Sequence, residues 1–195
     1  YRTLMAADSA VMVVDAAKGV EDQTRKLFHV CSLREMPIFT FINKMDREAQ
    51  DPFQLLEDIE SELGIKTYPM NWPIGSGKEF KGVYDRKNER IIAFNGGNHG
   101  ATEVEAIEGS VDDERFREIL GSALHDKLME DIELLDIAGD EFDVEKVRTG
   151  ELTPVFFGSA LTNFGVEPFL ENFLEMTTSP LPRQSNIGEI DVFDE

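Results

Sequence analysis

At 195 residues, with 41% hydrophobic and 30% charged residues, the chain has the size and composition of one globular domain with its own core. It contains no apolar run long enough to cross a bilayer and begins without a signal-peptide pattern, so no membrane association is expected. The formal charge of -20 repels phosphate backbones and argues against direct nucleic-acid contact, leaving a solvated acidic surface or a docking face for basic proteins. The single cysteine, Cys31, excludes an internal disulfide and fits a reducing, cytoplasmic setting.

In chain order, Val11-Met12-Val13-Val14 reads as a short buried strand ending at Asp15. Lys18-Gly19 makes a turn, and a helix is expected from Asp22 to about Arg34, with acids at its start and a base at its end. Pro37 to Ile42 is a second apolar strand, running directly into Asn43-Lys44-Met45-Asp46. Asp51-Pro52 is a strong helix start, Phe53, Leu56, Ile59 and Leu63 follow at helical spacing, and Gly64 ends the helix.

The pattern changes between Ile65 and Leu152. Phe80 to Phe94 reads as a hairpin turning at Arg86-Lys87-Asn88, Asn95 to Gly100 as a loop, and Thr102 to Ile107 as a further strand. A long amphipathic helix follows, with Phe116, Ile119, Leu120, Ala123, Leu124, Leu128, Ile132 and Leu135 on one side and Gly121 as its weak point. A short helix near Asp143 to Arg148 leads to a third apolar strand, Pro154 to Phe157, and then to Gly158-Ser159-Ala160-Leu161. Val166, Phe169, Leu170, Phe173 and Leu174 are expected to line one face of the last helix. Strands that are continuously apolar and alternate with helices point to a parallel sheet covered on both faces. The expected fold is α/β, with three parallel strands and an α+β insertion. Its units are a sheet domain over 1–64 and 153–180, an insertion over 65–152 and a linker over 181–195.

Asn43-Lys44-Met45-Asp46 would project beyond the carboxyl end of a parallel strand, where open α/β sheets bind ligands. A carboxylate at Asp46 can accept from the two adjacent donors of guanine, its ring N–H and exocyclic amine, a pair that adenine lacks. Asn43 would hold the loop and reach the far edge of the base, and the aliphatic stem of Lys44 would cover the ring. Ser159-Ala160-Leu161, after the next strand of the sheet, would end on the same rim. There small residues let backbone N–H groups approach the guanine carbonyl oxygen and Ser159 can brace the loop. Each segment taken alone is also an ordinary surface turn; two of them, in this order after two apolar strands, favour guanine binding.

These two segments resemble the fourth and fifth signature motifs of GTP-binding proteins. Asp15-Ala16-Ala17-Lys18-Gly19-Val20-Glu21 with Thr24, and Trp72-Pro73-Ile74-Gly75, are similar to translational GTPases. Within that group, Leu33-Arg34-Glu35-Met36-Pro37-Ile38, Gly77 to Tyr84, Gly150 to Gly158 and Pro180 to Gln184 most resemble the family of bacterial peptide-chain release factor three. The resemblance implies the carboxyl-terminal half of a P-loop-type GTPase domain, from a ribosome-dependent enzyme that helps dissociate the codon-reading release factors. It implies GTP or GDP as ligand and the ribosome and those release factors as partners. Mg2+ would be held in the complete protein by residues outside this chain. An elongation factor G-like translocase or ribosomal protection GTPase is the alternative within the group, and a non-enzymatic protein-docking module is the alternative of another class.

The phosphate loop, the first switch and the catalytic histidine of that family have no counterpart here. Gly75-Ser76-Gly77-Lys78 fails as a phosphate loop, because Trp72 stands where Gly is required and Glu79 where Ser or Thr would hold magnesium. Tyr1 to Ala7 resembles the end of the helix that follows the second switch. No catalytic residue and no metal ligand is assigned, and the chain alone is expected to be inactive. His29 and His125 read as helical surface residues and His99 lies in the glycine loop.

Overall fold

The computed structural model describes residues 7–94 and 106–177, together with two short strands at 183–185 and 188–190. The expectations for Tyr1 to Ala6, the loop from Asn95 to Gly100 and His99 lie outside the described residues. The first helix and strand elements follow the apolar pattern closely. They are β1 (Ala10–Asp15), α1 (Asp22–Ser32), β2 (Ile38–Asn43) and α2 (Pro52–Leu63). At the start of α2 the Asp51 carboxylate accepts from the N–H groups of Phe53 and Gln54 at 3.0 and 3.3 Å, and Gly64 closes the helix in the left-handed conformation.

Among the described residues the main sheet has four strands, not three. Its order is β1, β2, β8 (Leu152–Phe157) and β3 (Lys66–Pro69), with every neighbouring pair parallel. Lys66–Pro69 falls within the span expected to be insertion, yet it pairs with β8 from Lys66↔Leu152 to Pro69↔Val155. Four residues carry too little pattern to announce a strand, and this one is specified by the open edge of β8. β2 and β8 are buried along nearly their whole lengths, as a two-sided parallel sheet requires. Ile38 and Ile42 of β2 join Val155 and Phe157 of β8 in the larger core, with α1, α2 and the second sheet. Phe39 and Phe41 join Phe156 in the smaller core, under α6 (Val166–Met176) and beside Val147 of α5 (Val144–Arg148). Between the two central strands, the buried hydroxyls of Thr40 and Thr153 satisfy each other at 2.8 Å.

The second sheet is an antiparallel meander of β4 (Asn71–Ile74), β5 (Gly82–Asp85), β6 (Arg90–Ala93) and β7 (Ala106–Glu108). Its β5–β6 hairpin was legible in the sequence; β4 was not, because Pro73 sits in its middle. The expected strand from Thr102 is described only over β7. The long amphipathic helix is two helices, α3 (Glu114–Leu120) and α4 (Ser122–Ala138), separated by Gly121 at φ 82° and ψ 157°. That break resets the helical phase. Ile119 of α3 is 49% exposed, and after the break His125 is buried on one face of α4 with Leu128, Ile132 and Leu135. His125 is therefore no surface residue: its Nε2 lies 2.8 Å from the Val111 carbonyl oxygen, and its ring meets Phe116 edge-on. His29 is exposed on α1 as expected. Trp72, fully buried, donates from its indole N–H to Asp131 at 3.0 Å and so ties β4 to α4. In the region read as a linker, β9 (Arg183–Ser185) and β10 (Gly188–Ile190) form a small antiparallel hairpin. Among the described residues no helix is long and apolar enough to cross a membrane.

Among the described residues β1 is an edge of the main sheet. Met12 and Val14 are buried, but Val11 and Val13 are 44% and 57% exposed, against the expectation of a fully buried strand. The N–H groups of Ala10 and Ala16 donate to Pro37 and Asn43 on the β2 side. Strand alternation then turns the amides of Met12 and Val14 toward β2, and those of Val11 and Val13 away from it. In the 195-residue chain, hydrogen exchange should be slow at Met12 and Val14 and fast at Val11 and Val13. Slow exchange at all four would show that another segment covers this edge.

Candidate guanine-binding site

β2 and β8 run parallel and end together, with Ile42 opposite Phe157, so the loops after them emerge side by side. The two loops are bonded into one unit. Gly158 N–H donates to the Ile42 carbonyl at 3.0 Å, and Met45 N–H donates to the Gly158 carbonyl at 3.1 Å. Gly158 is required by this approach: a Cβ there would stand 2.5 Å from the Phe164 carbonyl oxygen and 2.8 Å from the Phe41 ring. The Asn43 side chain completes the link. Its Oδ1 accepts from Lys44 N–H and from Ala160 N–H, both at 2.8 Å.

Lys44 adopts φ 73°, in the left-handed region, which costs a non-glycine residue about 1–2 kcal/mol. The fold imposes this conformation so that the chain can turn sharply out of β2, and Arg47 N–H closes the turn on the Lys44 carbonyl at 3.0 Å. Met45, fully buried, pins the loop to the core. The ammonium of Lys44 reaches Asp15 at the end of β1, at 2.5 Å, while its side chain remains 44% exposed. This bond to Lys44 is the main reason the Asp15 carboxyl is held below its ordinary value of 3.8; burial opposes the shift and the Ala17 N–H assists it. Asp46 is half-buried, and among the described residues its carboxylate makes no hydrogen bond or ion pair.

The second loop differs in detail from the sequence expectation. Ser159 is fully buried, but its hydroxyl has no partner among the described residues, so the bracing comes from its backbone. Ser159 N–H donates to Phe164 at 3.0 Å, and Phe164 N–H returns a bond to Ser159 at 2.9 Å. The Ala160 amide is already engaged by Asn43, which removes it as a free donor to a ligand. The Leu161 amide carries no bond among the described residues, and the residue is 59% exposed. Among the described residues the two loops therefore carry a carboxylate, the side-chain NH2 of Asn43 and the Leu161 N–H without partners, beside an exposed lysine stem. That set complements a flat base with two adjacent donors on one edge and acceptors on the other.

Three supports of this site were not visible in the sequence. Asn71 of β4 accepts from Phe157 N–H at 2.8 Å and donates to the Phe157 carbonyl at 3.1 Å, replacing the strand partner that β3 no longer supplies. Gly77 N–H, in the turn after β4, donates to the Met45 carbonyl at 3.2 Å. Phe80 and Phe94 of the meander pack on Phe164, with ring centroids 5.5 and 5.3 Å away. The second sheet thus touches both loops. Asp15 enters the sequence reading only as part of a motif, although its place at the end of the neighbouring strand was a signal that it faces the same rim.

Comparison with known proteins identifies the family to which the chain is similar. Residues 1–179 match the family described as the elongation factor Tu GTP binding domain. The sequence is 56% identical, over 94% of its length, to peptide chain release factor 3 of Symbiobacterium thermophilum, and 54% identical, over 97%, to that of Trichodesmium erythraeum. In each case the chain spans 35% of the relative's length. A crystal structure of a protein from Thermus thermophilus superposes with a TM-score of 0.64 at 27% identity, over 91% of this chain and 27% of that one.

The two asparagines predict different losses on truncation. Asn71 is 5% exposed and Phe157 fully buried, so Asn71→Ala strands a buried N–H and a buried carbonyl and should cost about 2–4 kcal/mol. Asn43→Ala strands two amides at the rim that water can reach, and should cost about 1 kcal/mol. Urea unfolding of the chain measures both; equal losses would mean that the Phe157 groups find other partners.

Proposed function

Because the chain belongs to the family of elongation factor Tu-type GTP-binding domains, we propose that the rim formed by the β2 and β8 loops reads guanine. In this reading Asp46 accepts from the base's two donors, Lys44 covers its ring, and Asn43 holds both loops while offering its amine to the far edge. Leu161 N–H, rather than that of Ala160, donates to the carbonyl oxygen. Ser159 shapes the second loop. The observation that carries this is the combination at one rim of two loops locked together through Asn43 and a carboxylate at Asp46 left without a partner among the described residues.

The nucleotide unit comprises the four-stranded sheet, so the insertion begins after Pro69 and ends before Leu152. The complete protein binds GTP and GDP with Mg2+ and is a ribosome-dependent GTPase of translation termination, acting in the cytoplasm to promote departure of the codon-reading release factors. Similarity to peptide chain release factor 3 along nearly the whole chain supports termination over translocation. The sequence carries no phosphate-loop motif, and phosphoryl transfer depends on a phosphate cradle.

Two outcomes follow. In the complete protein, Asp46→Asn replaces one acceptor with a donor and should shift preference from GTP to XTP; an unchanged preference for GTP would remove Asp46 from the role. The 195-residue chain alone should not hydrolyse GTP and should bind GDP no more tightly than about millimolar. Charge-assisted base contacts contribute roughly 1.5–3 kcal/mol each, and lost translational and rotational freedom offsets about 4 kcal/mol or more. Calorimetry with GDP tests this, and micromolar binding would reveal a phosphate site within the chain.

A further inference from the structure

Lys44 lies beside the base position, yet nothing on its own loop holds its side chain. A four-carbon stem ending in an ammonium samples many rotamers, and a stem that wanders cannot serve as a lid for a flat ring. The left-handed backbone at Lys44 sets only the direction in which the side chain leaves. Its far end is fixed by a residue on another strand. Asp15 is the last residue of β1, directly opposite Asn43 in the sheet, and its Oδ2 receives the Lys44 ammonium at 2.5 Å.

Asp15 is itself held at every polar atom that matters. Its Oδ1 accepts from Ala17 N–H at 2.9 Å, and its carbonyl accepts from Lys18 and Gly19 N–H at 3.1 and 2.8 Å. Its side chain is only 14% exposed, against 44% for that of Lys44. One carboxylate oxygen therefore builds the turn after β1, and the other is left facing the ammonium. The adjoining segment is anchored as well: Gln50 donates from its backbone to Ala16 and from its side chain to Ala17, both at 2.9 Å. The anchored partner is rigid and mostly buried, and the mobile partner is the one whose stem stays open to a ligand.

We infer that Asp15 is a positioning residue for guanine nucleotides, holding the Lys44 ammonium so that the lysine stem is set in place over the base before the nucleotide arrives. Asp15 acts through Lys44 and does not touch the ligand. This rests on the guanine reading of the rim given above. Pre-setting the stem removes an ordering cost from binding, so losing it weakens retention of GDP and GTP alike, and leaves discrimination between bases to Asp46.

The test is nucleotide dissociation from the complete protein, measured with a fluorescent GDP analogue. Asp15→Asn keeps an oxygen for Ala17 N–H but loses the charge that receives the ammonium. Asp15→Ser, whose hydroxyl also accepts from a turn amide, is the second variant should the first not fold. Either should speed GDP dissociation by about two- to fivefold, the ratio a partly exposed ion pair corresponds to. In a Lys44→Met background the same change at Asp15 should have no further effect. An unaltered rate in the single variant overturns the inference. So does an effect of full size in the Lys44→Met background, because Asp15 would then act through the turn alone. Asp46→Asn, run in parallel, separates the two claims. If it switches base preference while the Asp15 variants are silent, the positioning role alone fails; if it does not, the guanine reading fails.

Discussion

The side-chain oxygen of Asn43 receives two backbone N–H groups from two different loops, and the arrangement of the rim depends on it. An asparagine carbonyl has two acceptor sites, and here both are used to close a gap that strand pairing cannot bridge. β2 and β8 stop pairing at Ile42 and Phe157, and their loops continue past the end of the sheet. Asn43 and the reciprocal bonds through Gly158 keep them in register past the sheet. With the loops so held, Asp46 is left as a carboxylate with no partner among the described residues, a state that makes sense for a group that binds something else.

The meander and its turn are more than an appendage. Asn71 occupies the edge of β8 immediately before the second loop, Gly77 bonds to the buried Met45 of the first, and Phe80 and Phe94 press on Phe164 behind Ser159. Each contact is modest, but they fall on both loops and leave the Asp46 carboxylate and the Leu161 N–H untouched. Gly77 has φ 58°, and a Cβ there would lie 3.5–3.7 Å from the backbone of Arg47 and Glu48, which places this turn directly against the lysine-bearing loop.

Much of this was legible in residues alone. Continuous apolar runs in β2 and β8 announced a parallel sheet, the Asp51-Pro52 pair marked the start of α2, and the position of Asn43 to Asp46 after a strand marked the rim. What escaped did so for physical reasons. β3 is four residues long and exists because β8 has an edge to fill. The phase of α4 depends on the backbone angles of Gly121, and without them His125 reads as exposed. The engagement of Ala160 by Asn43 spans 117 positions of sequence, and no local pattern records a bond of that range. Asp15 was within reach, because any residue ending the strand next to β2 must face the same rim.

A crystal structure of the complete protein with GDP tests the central claim most directly. The base should lie at the rim between the β2 and β8 loops, with the Asp46 carboxylate on its ring N–H and exocyclic amine, the Lys44 stem across its face and Leu161 N–H on its carbonyl oxygen. A base bound elsewhere, or one at this rim that leaves the Asp46 carboxylate without a bond, would contradict the account.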